Sequence, residues 1–67
     1  RRPAENPRDL VLSGARTLAA AVEEFEREVI EEALRREEGN QTQTALRLGT
    51  TRRVLRYRMA KLGIRSP

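Results

Sequence analysis

Apolar positions recur at helical spacing through the middle of the chain. From Leu18 to about Glu38 the stretch is rich in Ala, Glu, Leu and Arg, holds no Pro or Gly until Gly39, and follows Thr17, a good N-cap. That pattern predicts one long helix over 18–38. At about 100° per residue, Leu18, Ala21, Val22, Phe25, Val29, Ile30, Ala33 and Leu34 spread over roughly 220° of its surface, interrupted by Glu26. A helix covering a single core needs little more than about 100°. The extra width predicts two contacts. Ile30, Ala33 and Leu34 would turn toward the rest of the chain, and Leu18, Val22, Phe25 and Val29 would be available to a second partner, for which the same helix of another copy is the obvious choice. The alternative is that Leu10–Leu12 folds back over the second face and leaves a monomer.

A second pattern occupies Gly39–Ile64 and reads as two short helices joined by a tight turn. Asn40 is an N-cap residue with Gln43 three positions later, as in a capping box, which starts a helix over 41–48. Thr50 or Thr51 caps the next, over 51–62, and Gly63 ends it. Leu55, Met59 and Leu62 fall on one side of that second helix, and Arg53, Arg56, Tyr57 and Ala60 on the other. Ala45, Gly49 and Leu55 carry the spacing of a helix-turn-helix: a small residue where two helices cross, a residue tolerant of a left-handed backbone in the turn, and an inward anchor. The fold class is therefore all-α, a long helix followed by a helix-turn-helix.

The start of the chain reads differently. Two prolines among charged residues in Arg1–Pro7 give the composition of a linker, so residues 1–9 are expected to be a tether or disordered and the domain to occupy 10–67. Leu10, Val11 and Leu12 then form a small apolar patch, suited to a single helical turn or a short strand. We expect it to cover an edge of the core; the alternative is a share in a dimer interface. The lack of an initiator Met suggests a piece of something longer.

With 67 residues there is room for one small domain and a modest core. The chain has no Cys and no His, so disulfides and the commonest metal ligands are unavailable as stabilisers, and no metal or cofactor is expected. Self-association is the remaining device. Net charge is +4, but the total hides an asymmetry: residues 18–38 hold eight acids against three arginines, a sum of −5, and residues 39–67 hold seven bases and no acid, a sum of +7. The basic half is the helix-turn-helix, which is the electrostatic footprint of a nucleic-acid-binding surface. Glu23–Arg27, Glu31–Arg35 and Glu32–Arg36 stand four apart with the acid first, so helix support explains them. They lie on an open helical face without a nucleophile or metal ligand, which speaks against an enzyme. No apolar run reaches the roughly 18 residues needed to span a bilayer.

The segment resembles the C-terminal helix-turn-helix of the Fis family, shared by the nucleoid protein Fis and by the DNA-binding domains of NtrC-type, sigma-54-dependent transcriptional activators. The resemblance rests on GN-x-T-x-x-A-x-x-L-G in Gly39–Gly49, RR-x-L in Arg52–Leu55, KLGI in Lys61–Ile64 and E-x-x-x-I-x-x-A-L in Glu26–Leu34. It implies a homodimer that presents two recognition helices to the major groove of double-stranded DNA at a near-palindromic site, in the cytoplasm on the nucleoid. It also implies upstream ATPase and regulatory domains in the full-length protein. A stand-alone DNA-bending protein is the close alternative, and a helical protein-interaction module is the alternative of a different class. One Phe and one Tyr argue against a stacking-based single-strand binder.

Phosphate contacts position such a protein and base contacts give it specificity. Asn40 and Thr42 stand at the start of the first short helix and Thr51 at the start of the second, where small polar side chains meet phosphate; capping alone also explains them. Arg52, Arg53 and Arg56 are the candidates for groove contacts, because arginine donates two parallel hydrogen bonds to guanine. The family pattern carries over onto Arg52 and Arg56, with Arg53 nearer the backbone or groove wall. Tyr57 either gives its hydroxyl to a phosphate or packs its ring over the helix. Arg58 and Lys61 are expected as flanking, solvated charges or loose phosphate partners, and Arg47 as solvent-facing. Two residues depart from the family pattern: Thr50 where an apolar residue commonly plugs the turn, and Val54 where a Thr is frequent.

Overall fold

The computed structural model describes residues 6–65. Four helices follow one another: α1 (Pro7–Leu12), α2 (Leu18–Arg36), α3 (Gln41–Arg47) and α4 (Arg52–Leu62), and there is no strand among the described residues. Each helix begins on a side-chain cap. Asn6 accepts from Arg8 N at 2.8 Å, Thr17 from Ala20 N at 3.0 Å, Asn40 from Gln43 N at 3.0 Å and Thr51 from Val54 N at 3.1 Å. Such a cap contributes about 1 kcal/mol, because it satisfies an amide that has no partner inside the helix. The capping box at Asn40 is only half formed, since the Asn40 amide donates to the Glu37 carbonyl at 3.0 Å rather than to Gln43.

The helices also end alike. After α3, Gly49 stands at φ +74°, its amide donates to Leu46 O and the Thr50 amide to Ala45 O at 2.9 Å. After α4, Gly63 stands at φ +72° and the Ile64 amide reaches Met59 O at 2.9 Å. These are Schellman closures, which need a left-handed residue just past the helix. A Cβ built on Gly49 meets nothing within 4 Å, so backbone conformation rather than space calls for glycine there. At the end of α2 the corresponding position is Glu38, the only non-glycine among the described residues with positive φ, at 55°.

The core lies between the C-terminal half of α2 and the α3–α4 pair. Ile30, Leu34, Ala45, Leu55, Met59, Leu62 and Ile64 form it, with Leu48 half-buried against them. Ala33 is buried as well, so the three α2 residues expected to face the helix-turn-helix do so. Thr44 is fully buried beside Ala45, which is possible because its hydroxyl donates to Asn40 O at 2.8 Å inside its own helix.

Several boundaries and contacts differ from expectation. The long helix stops at Arg36, two residues early, because Glu37 and Glu38 form its closing turn. The first helix of the pair stops at Arg47, and the second starts at Arg52 because Thr51 is its cap. Pro7–Asp9 are helical rather than tether: Pro7 opens α1, where a missing amide costs nothing. The rest of the tether, residues 1–5, lies outside the described residues. Leu10–Leu12 does not cover the core. Helix α1 buries none of its residues and lies along the N-terminal half of α2, leaving a groove of about 450 Å³ between them, and Leu12 is 78% exposed. No helix among the described residues is long and apolar enough to cross a membrane.

Candidate nucleic-acid interface

Helix α4 divides its side chains by chemistry. Leu55, Met59 and Leu62 are buried, whereas Arg52, Arg53, Arg56, Tyr57 and Ala60 are exposed, as the helical projection requires. The three arginines share a further property. Arg8, Arg16, Arg35, Arg36, Arg47 and Arg58 each have a carboxylate partner, but among the described residues Arg52, Arg53 and Arg56 have none. Charge on the outward face of α4 is thus not neutralised by any described carboxylate. An anion meeting that face displaces only water and counterions.

Around this face the polar caps are ordered. Asn40 and Thr51 hold their helix starts through side-chain oxygens, which leaves the Asn40 amide nitrogen and the Thr51 hydroxyl proton to donate outward. Thr42 is exposed in the first turn of α3. Tyr57 is 60% exposed, and Lys61 Nζ stands 5.8 Å from its ring centre. Its ring face therefore carries a cation while its hydroxyl points into no core. Thr50 is half-buried and, with Val54, Leu48, Val22, Phe25 and Val29, lines a groove of about 500 Å³ where the core is open toward α2.

Two cations expected as solvated charges are held in ion pairs instead. Arg58 grips Glu26 of α2 with both prongs: its Nε donates to Oε2, and a terminal nitrogen donates to Oε1 at 2.5 Å. The hydrogen bond to Arg58 holds the Glu26 carboxyl below its ordinary value, and the same bond raises the Arg58 guanidinium further. Arg47 reaches Glu37 at 2.6 Å across the turn between α2 and α3. Of the three acid-first pairs on α2, Glu32–Arg36 forms at 2.8 Å, but Arg35 turns to Glu32 rather than Glu31, and Arg27 leaves the helix altogether. Arg27 donates to the carbonyl of Leu62 at 2.8 Å, at the C-terminal end of α4, where a cation complements the helix dipole. Glu26 and Arg27 were not singled out as site residues. The break that Glu26 makes in the apolar stripe was the available signal.

The second candidate surface lies on the other half of α2. Leu18, Val22 and Phe25 are 68%, 52% and 64% exposed and Val29 is half-buried. Helix α1 lies beside Leu18, Val22 and Phe25 across its groove but leaves them more than half exposed.

A family model described as bacterial regulatory protein, Fis family, matches residues 21–62, from the middle of α2 to the end of α4. Regulatory protein AtoC of Escherichia coli (strain K12) is 43% identical over 51 residues, covering 76% of this chain. The chain spans 11% of that relative's length. No solved structure matches it.

Proposed function

The chain belongs to the Fis family of bacterial regulatory proteins, which makes it a DNA-binding module of transcription regulation, and we propose that it acts as a homodimer reading a near-palindromic site in double-stranded DNA. Helix α4 enters the major groove by its N-terminal half. Arg52 and Arg56 read base edges, and Arg53 meets the groove wall or backbone. Asn40, Thr42, Thr51 and Tyr57 hold phosphates on either side and fix the depth of entry. The dimer forms through Leu18, Val22, Phe25 and Val29 of α2, which places two copies of α4 on a two-fold axis. A two-fold protein matches a two-fold site.

The observation that carries this reading is the charge on α4: its outward arginines have no carboxylate partner among the described residues, while Arg8, Arg16, Arg35, Arg36, Arg47 and Arg58 do. A merely solvated helix gains nothing from that arrangement, but a phosphate-facing helix does. Similarity to regulatory protein AtoC, with the resemblance to sigma-54-dependent activators, supports a place as the C-terminal, enhancer-binding module of such a regulator. Its work is then done in the cytoplasm, where it holds ATPase and regulatory domains near a promoter.

Fluorescence anisotropy of a labelled random-sequence duplex pool, titrated with the chain at stepped salt, tests the DNA contact. Log affinity should fall linearly with log salt, and Arg53→Ala should lower the slope by about 0.9 if it holds one phosphate. Affinity that ignores salt, or is unchanged by the alanine variants of Arg52, Arg53 and Arg56, contradicts the reading.

A further inference from the structure

We propose that Glu26 and Arg27 are positioning residues for the recognition helix: together they fix the pitch of α4 against α2, and so the half-site spacing the dimer accepts. The inference rests on the DNA-binding dimer reading above. It starts from two long-range polar bonds that leave adjacent residues of one helix and land on the same second helix. Glu26 receives both prongs of Arg58, and Arg27 reaches the carbonyl of Leu62 at 2.8 Å. The two landing points are four residues apart on α4, about 6 Å along its axis. Two points separated along a rod fix its direction, where one fixes only its position.

The apolar core does not supply that direction by itself. Ile30 and Leu34 meet Leu55, Met59 and Leu62, and contacts between aliphatic side chains are non-directional, so small rolls and tilts of α4 change their energy little. The guanidinium–carboxylate fork is planar and bidentate, and tolerates such motion poorly. Position matters as much as geometry. The clamp sits immediately beside Phe25 and Val29 of the proposed dimer surface, so it links the two-fold axis to the reading helix with no intervening loop. Both members of the pair also line the open groove near Thr50. Arg58 is accordingly a cation committed to the protein, not to phosphate.

The test is selection of bound duplexes from a library with a random core of about four helical turns, whose two half-sites would be separated by about one turn or a multiple of it. It is run with the whole chain, with Glu26→Gln, and with Arg58→Lys, which keeps the charge but loses the fork. Circular dichroism confirms that each variant is folded before use. Wild type should return one dominant spacing. Both variants should return the same half-site letters at several spacings, and the preference for the best spacing over one shifted by a base pair should fall about tenfold, the scale of one charged hydrogen bond. The double variant Glu26→Arg with Arg58→Glu, which reverses the pair, should recover a single spacing. Variants that melt lower yet select the same single spacing overturn the positioning role and leave only a stabilising bond. If wild type itself selects no two-fold-related sequence, the dimeric DNA reading fails and this inference with it.

Discussion

The two halves of α2 are built from the same kinds of residue and have opposite fates. In its C-terminal half, Ile30, Ala33 and Leu34 are 4%, 4% and 3% exposed; in its N-terminal half, Leu18, Val22 and Phe25 stay more than half exposed. Nothing in the helix itself distinguishes them. The difference lies in what stands opposite: α3 and α4 for one, and for the other only α1, none of whose six residues is itself buried. An apolar stripe therefore says that a face wants cover, and says nothing about which molecule provides it. By the same logic the arginines of α4 that find no carboxylate among the described residues mark a face still open to a partner, while the paired ones mark charges already used.

The sharpest way to break this comparison is to cut a side chain from each half. Leu34→Ala should cost about 2–5 kcal/mol in urea denaturation, because the removed methyl groups leave a cavity in the packed core. In a domain of this size that is a large part of the total stability. Phe25→Asp should change the unfolding free energy of the protomer by no more than about 0.5 kcal/mol, as a surface substitution does, while abolishing self-association. Equal losses from the two changes would mean that the N-terminal half is part of the folded core after all.

A smaller effect is expected where the halves meet, at Glu26. Its carboxyl is held below the ordinary value of about 4.3 by Arg58, so the unfolded chain binds more protons than the folded one between the two values. The stabilisation is present above the unfolded value and lost as pH falls through the folded one. Thermal melts of wild type and Glu26→Gln should differ at neutral pH and draw together as pH falls below the ordinary carboxylate range. A gap that persists unchanged into acid would remove the ion pair as its cause.

The smallest change expected is a gain. Glu38 occupies a left-handed position at φ 55°, whereas Gly14, Gly49 and Gly63 serve the ends of the other helices. Glu38→Gly should raise stability by about 0.5–1 kcal/mol in the same denaturation series, since relief of strain outweighs the added freedom of the unfolded chain. Loss of stability instead would show that the Glu38 side chain has a role its exposure conceals.

How much of this was legible in the sequence follows from the range of each interaction. The helix-turn-helix was, because Ala45, Gly49 and Leu55 act within one local unit and Thr51 caps three residues ahead. The inward turn of Ile30, Ala33 and Leu34 was, because helical periodicity encodes it. Helix α1 was legible only in part: a helical turn was one of two readings of Leu10–Leu12, but Pro7 looked like linker material, although Asn6-Pro7 is also a cap followed by a favoured first helical residue. The commitment of Arg58 was not legible at all, because its partner lies 32 residues away and only packing of α4 on α2 brings them together. The outward placement of Arg53 and Arg56 follows from helical projection, but that these two and Arg52 find no carboxylate among the described residues is visible only in the fold.

The central claim is that two copies of α4 meet one duplex through a dimer made by α2. The most direct measurement is sedimentation velocity of the chain with a duplex selected from the random library, compared with the same run for Phe25→Asp. The account predicts two wild-type protomers per duplex, bound cooperatively, and a variant that loads one at a time and at higher concentration. A single wild-type protomer at saturation, with Phe25→Asp indistinguishable from it, would contradict the account.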